Sequence, residues 1–447
     1  MTTQTPPSSD PAAAPPARPL ANGAGTGAGG REIPSTVVVQ APDLSDTFGE
    51  YLRAWGKRIR NGESGVLPVL GGLVILVIIF QIQSSAFLSA RNFSNLLVQG
   101  APYVLLGMAE VWVLILGEID LSVGYVAGIG AVITAILAAP PYGYPWWAAC
   151  IIAMLATGAI GGVWGVLVIR LHLPSFVVTL AGLLGMEGLL LYLVNAHGTG
   201  GTIRISSSAL LDLSNGNLSQ VASWVVMAVA VGLFAVLTIL RDQRRRHRGL
   251  VAPPLAVTLL KVVAVAVAGV ALVVVCNINR GSAFGVLRGV PYPVPIILGV
   301  LVLFTFVLGR SRFGRYLYAI GGNAEAARRG GVSLGYNRFW AFVLTGVTSG
   351  AAGILYASRL GSVSNNIDGG TLVLYAVAAA VIGGTSLFGG RGKMVHALVG
   401  GLVIATIYNG MGLIGLAASY QFMVTALVLL AAVTVDALAR RGRDNAA

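Results

Sequence analysis

Residues 96–139 read "LLVQGAPYVLLGMAEVWVLILGEIDLSVGYVAGIGAVITAILAA". An apolar run precedes Gly117 and another follows Gly124. Between them sits "GEIDLSVG", with two carboxylates, Glu118 and Asp120, and one serine, Ser122. A helix needs roughly 20 apolar residues to cross a bilayer. The run before Gly117 has that length, so this stretch reads as two membrane spans joined by a polar turn.

The rest of the chain agrees. Of 447 residues, 56% are hydrophobic and only 10% are charged. Soluble domains carry about 25% charged residues. The 60 glycines suit closely packed membrane helices rather than loops. Cys150 and Cys276 fall in apolar runs and suggest neither a disulfide nor a metal site. The net charge of +13 is read as cytoplasmic loops, not nucleic-acid binding, because the arginines cluster between apolar spans.

The fold class expected is an all-α polytopic membrane protein with about 12 transmembrane helices, 10 to 12 being admissible. The spans fall near 66–82, 95–116, 121–139, 147–169, 175–194, 220–240, 252–276, 291–309, 338–357, 371–384, 395–415 and 420–438, the tenth short and open to being broken or tilted. Residues 1–50 form a Pro/Ala/Gly-rich tail without the means to bury a core. Residues 51–64 read as a basic amphipathic helix on the membrane surface. Residues 65–440 are the transmembrane domain, with a long inner loop at 309–338. With both termini cytoplasmic, 21 Lys and Arg lie inside and five lie outside, namely Arg91, Arg204, Arg280, Arg288 and Arg359. The run "RDQRRRHRG" at 241–249 reads as a topology anchor.

No phosphate-binding loop is present, since "GGRGKM" at 389–394 lacks the spacing and the Ser or Thr after Lys. No zinc-type or H-E-x-x-H spacing occurs among the four histidines. The chain is therefore expected not to be an enzyme. Glu110, Glu187 and Lys261 lie within apolar spans, where a charge costs about 2.5–3.5 kcal/mol. Lys261 can snorkel to the surface. Glu110 and Glu187 divide between polar packing and a solute path, as do Tyr408 and Asn409 in the "IYNGMGLIG" span.

Gly117–Gly124 is expected to be a cytoplasmic turn, with a helix starting near Leu121, Asp120 capping it and Ser122 in its first turn. Gly117 and Gly124 permit the reversal. "GGTSLFGG" at 383–390 repeats the pattern, with Ser386 at the place of Asp120, and is compatible with an internal repeat. In the inner loop, "NAEAARRGG" predicts a short cytoplasmic helix. Asn323 is its N-cap, Glu325 sits in its first turn, Arg328 and Arg329 in its last, and Gly330 ends it in a left-handed conformation. Ala324, Ala326 and Ala327 offer a small face to a docking partner.

Five motifs, "GEIDLSVG", "PSFVVTLAGLLGMEGL", "GRYLYAIGGNAEAARRGGV", "VIGGTSLFGGRG" and "YNGMGLIGLAASYQ", resemble in the same order those of bacterial ABC-type monosaccharide permeases. The longer middle, at 241–249 and 252–276, looks more like the D-xylose branch than the ribose branch. The resemblance implies the membrane subunit of an ATP-driven importer in the bacterial inner membrane. It implies a homodimer, a cytoplasmic ATP-binding subunit that holds ATP and Mg, an extracytoplasmic sugar-binding protein, and no cofactor in this chain. It places Asn323, Glu325, Ala326, Ala327, Arg328 and Arg329 at the contact with the ATPase. The alternative is an ion-coupled secondary transporter of a small polar solute.

Overall fold

The computed structural model describes residues 67–250, 252–281, 285–427, 430 and 434. The tail at 1–50 and the amphipathic helix expected at 51–64 lie outside the described residues. The chain forms α1 Leu67–Gln83, α2 Ala90–Leu114, α3 Val123–Ala138, α4 Trp146–Leu171 and α5 Ser175–His197. After β1 Thr202–Arg204 and α6 Ser208–Asn215 come α7 Gln220–His247, α8 Leu255–Asn277 and α9 Pro293–Arg310. Two short helices, α10 Arg312–Gly322 and α11 Ala324–Arg329, lead into α12 Leu334–Leu360. β2 Ser362–Ser364, α13 Gly369–Ile382 and α14 Met394–Leu413 follow, and residues 418–427 are again helical.

Among the described residues, eight helices are long and apolar enough to cross a membrane, and α1, α3 and α13 are shorter apolar helices. The protein is an all-α polytopic membrane protein. The tenth expected span is a continuous 14-residue helix, α13. The twelfth, 420–438, falls partly outside the described residues.

Burial separates a core from a periphery. The apolar stretch of α2 is 83% buried, whereas those of α7 and α8 are 11% buried. α2, α3, α4, α12, α13 and α14 pack on one another, and α7 pairs with α8 at the edge. Apolar surface does not drive helices together inside a lipid phase, so close approach of small residues must do so. At Gly353 of α12 an added Cβ would lie 1.8 Å from the Ala127 carbonyl oxygen of α3, so only glycine allows this crossing. A two-stranded antiparallel ribbon, with Ile203 opposite Val363, ties the segments after α5 and α12 together. Asn409 of α14 and Asn92 of α2 exchange amide hydrogen bonds of 2.8 and 3.1 Å, and Asn409 also donates to Gln99 Oε1. This brace joins the two most buried long helices.

Candidate functional site

The arginine-rich side of the bundle is called the inner side below. There, four of the quoted motifs converge. The α2–α3 turn and the α13–α14 turn touch, with the Gly390 N–H donating to the Ile115 carbonyl at 2.8 Å. α10 closes the junction. A Cβ on Gly321 would lie 1.8 Å from Ile115 O, so the backbone itself is the contact surface. The Tyr318 hydroxyl donates to Gly392 O at 2.6 Å. α5 joins through Ser175, whose Oγ accepts from the Ile119 N–H, and Thr179, whose hydroxyl donates to Ile119 O. Glu118 forms an ion pair with Arg338 of α12 at 3.2 Å.

The expected cap at Asp120 is corrected. α3 begins at Val123, two residues later than the sequence predicts, and Ser122 is its N-cap rather than part of its first turn. Asp120 Oδ1 accepts from Ser122 N–H at 2.9 Å and Ser122 Oγ at 2.6 Å. The side chain thus closes a local turn on a nearby backbone amide, an alternative to helix capping open to short polar side chains. Gly117 adopts φ 79°, the left-handed region that the reversal needs. Ser386 Oγ accepts from Phe388 N–H, the same two-residue reach as Asp120 to Ser122. The likeness stops there: Gly383, at the place of Gly117, has φ −65°, and α14 starts eight residues after Ser386 whereas α3 starts three after Asp120. Asp120 is buried and lies in the turn, outside the spanning helices. Burial pushes its carboxyl up to about 6, opposed by the two Ser122 hydrogen bonds.

Glu110, one turn from the inner end of α2, is fully buried, and its carboxylate faces the Asp120 backbone N–H without closing a full hydrogen bond. Asp120 is its charged neighbour. Glu187 is half-buried on α5 beside Tyr125. Tyr408 lies in an edge-to-face cluster with Tyr103 and Tyr375, at ring separations of 6.0 and 6.3 Å. The four solute-path candidates thus occupy three places, near the inner turn, on α5, and at the α2–α14 contact. Beside the tyrosines, the space bounded by Pro102, Gly128, Gly353 and Tyr356 is about 10 Å³. That is room for one water, so this junction is closed to a sugar.

The inner loop carries α11. Asn323 Oδ1 accepts from the Ala326 N–H at 2.9 Å, and Glu325 pairs with Arg328 at 2.9 Å and Arg329 at 3.0 Å. The helix is six residues long. Gly330 has φ −76°, so the expected left-handed end is corrected to Gly331, with φ 80°. Ala327 is 7% exposed and packs into the core cluster, which corrects its expected place on an open face. Glu325, Ala326, Arg328 and Arg329 remain exposed.

A family of transport permeases, described as "Branched-chain amino acid transport system / permease component", matches residues 92–433. The chain belongs to this permease family. A xylose transport system permease of Haemophilus influenzae is 33% identical over 385 residues, covering 85% of this chain and 98% of the relative. A D-allose transport system permease of Escherichia coli is 29% identical over 367 residues, covering 82% and 90%. A ribose import permease of Escherichia coli is 28% identical over 368 residues, covering 81% and 91%. No solved structure matches.

Within this permease the sequence located the inner turns and the capped helix. It did not locate Arg338 as the partner of Glu118, because a contact 220 residues away leaves no local pattern. Nor did it single out Asn92, Gln99, Tyr103 and Tyr375. Their only sequence signal is polarity within an otherwise apolar helix.

Proposed function

We propose that this chain is the membrane-spanning subunit of an ATP-driven importer that carries a monosaccharide, a pentose such as xylose, into the cytoplasm. The observation that carries the reading is the match to sugar permeases along nearly their whole length, 98% of the xylose permease relative. The family description names branched-chain amino acids. The full-length relatives favour sugars, and the transported solute follows them.

The chain works as two copies in the bacterial inner membrane, with both termini in the cytoplasm. ATP and Mg belong to a separate cytoplasmic subunit, and an extracytoplasmic binding protein delivers the sugar. α11 is the contact with the ATP-binding subunit. Its support is a rigid, side-chain-capped helix on the arginine-rich side, anchored inward by Ala327 and presenting Glu325, Ala326, Arg328 and Arg329 outward. The α2–α3 and α13–α14 turns meet α10 through Gly321 and Tyr318, and α10 leads directly into α11, so movement of α11 reaches the ends of α2, α3, α13 and α14.

Substrate class is tested by uptake of labelled xylose in cells that express the chain with its ATP-binding and sugar-binding partners and lack other pentose uptake. Xylose uptake suppressed by excess unlabelled pentose supports the reading. Uptake of leucine and not of any pentose or hexose contradicts it.

A further inference from the structure

On the outer side a cavity of about 380 Å³ opens between the first turns of α2, the segment after α8 and the last turn of α12. Arg91, Arg280 and Arg359, three arginines far apart in sequence, line it together with Ser94, Asn95 and Asn217. None of the residues lining it is a carboxylate, and none of the ion pairs among the described residues involves these arginines.

Each arginine is held differently. Arg280 is 6% exposed. Its guanidinium donates to Ser94 Oγ at 2.6 Å, Cys276 O at 2.7 Å, and Asn217 Oδ1 and Gly289 O at 2.9 Å. All four acceptors are neutral, so hydrogen bonding is satisfied while the buried charge is not balanced. Arg91 donates Nε and one Nη to the carbonyl of Arg280, leaving its other Nη group unengaged. Arg359 is half-buried and makes no hydrogen bond or ion pair among the described residues. Arg91 also stands in the first turn of α2, where the helix dipole already presents positive charge. An arginine there opposes the dipole instead of complementing it. Arg91 is exposed, but Arg280 and Arg359 are wholly or partly desolvated, and like charges gathered there destabilise the fold unless an anion joins them.

We propose that this cavity binds a single phosphate-class oxyanion, supplied by a phospholipid headgroup or by the medium. Planar guanidinium groups match phosphate oxygens in pairs, which a point charge does not. Arg359 and the free Nη of Arg91 supply the open donors. Arg280 supplies a fixed charge behind them, and the Asn95 amide lies at the rim. The lining also includes Leu287 and Leu360, apolar surface of the kind a substituted phosphate meets. The site is separate from the inner motifs and does not depend on which solute is carried.

The test uses the full chain in a neutral detergent at constant ionic strength, titrated with inorganic phosphate against chloride while the melting midpoint is followed. A saturable rise is expected, with about tenfold more phosphate needed for half-saturation in Arg359→Gln and in Arg91→Gln. Arg288→Gln, an exposed outer arginine next to Leu287 that does not itself line the cavity, is expected to match the parent. A second arm places the same proteins in nanodiscs of phosphatidylcholine with and without phosphatidylglycerol and reads retained lipid by native mass spectrometry. One phosphatidylglycerol kept by the parent and lost by Arg359→Gln identifies the lipid source. Phosphate saturation without lipid retention identifies the soluble source. No saturation and no selective retention overturns the site, and so does an equal loss in Arg288→Gln.

Discussion

Asp120 is 2% exposed, and Ser122 is the residue that holds its carboxylate. A folded-state value near 6 against 3.8 for the free group means that the fold binds the proton more tightly than the unfolded chain does. Stability from this residue is therefore greatest below about pH 4 and falls as pH rises to about 6, by an amount on the order of 3 kcal/mol. Asp120→Asn keeps an oxygen for the Ser122 amide and removes the charge. Its melting midpoint is expected to vary less than the parent's between pH 4 and 6. At neutral pH Asp120→Asn retains most uptake, whereas Asp120→Leu lowers the yield of folded protein because it strands the Ser122 amide. Melting curves across that pH range check the first point. Loss of transport in fully folded Asp120→Asn contradicts a structural role.

At the scale of elements, α2 and α14 are held by the Asn92–Asn409–Gln99 brace. Asn409→Ala leaves buried amide groups without partners and is expected to destabilise the protein by about 1–3 kcal/mol. Transport per folded molecule is expected to persist. A normal midpoint with abolished uptake would instead place Asn409 in the solute path. α11 gives a sharper contrast. Ala327 is buried against the core, so Ala327→Trp overpacks it at about 1–3 kcal/mol and lowers the melting midpoint. Ala326 is exposed, so Ala326→Glu keeps the midpoint and loses the ATP-binding subunit in co-purification. Equal retention of that subunit by parent and Ala326→Glu removes the docking role. Much of this element was legible in the sequence. Asn323, Glu325, Arg328 and Arg329 act within one another's reach, and local pattern records local physics. Which alanine faces inward was not legible, because the packing of Ala327 depends on distant chain. The start of α3 was misplaced for a related reason. Asp and Ser both favour caps and turns, and tertiary contacts of Ile119 with Ser175 and Thr179 hold the backbone out of the helix until Val123.

Across the whole molecule, hydropathy alone separates membrane helices from connections, because a bilayer imposes length and apolarity on each span. It does not say which helices form the core. The polar residues and glycines that distinguish α2, α12 and α14 from α7 and α8 carry that information, yet the crossings they make, such as Gly353 on Ala127, depend on two segments at once. On the proposed function, this bundle transmits, and does not itself generate, the energy for sugar movement. The direct measurement is labelled xylose uptake into proteoliposomes holding the full chain, with its ATP-binding subunit, its sugar-binding protein and ATP each added or omitted. Uptake only when all are present, with no ATP hydrolysis and no xylose-stimulated proton flux by the chain alone, is the predicted result. Xylose accumulation by the chain alone in response to an ion gradient would contradict it.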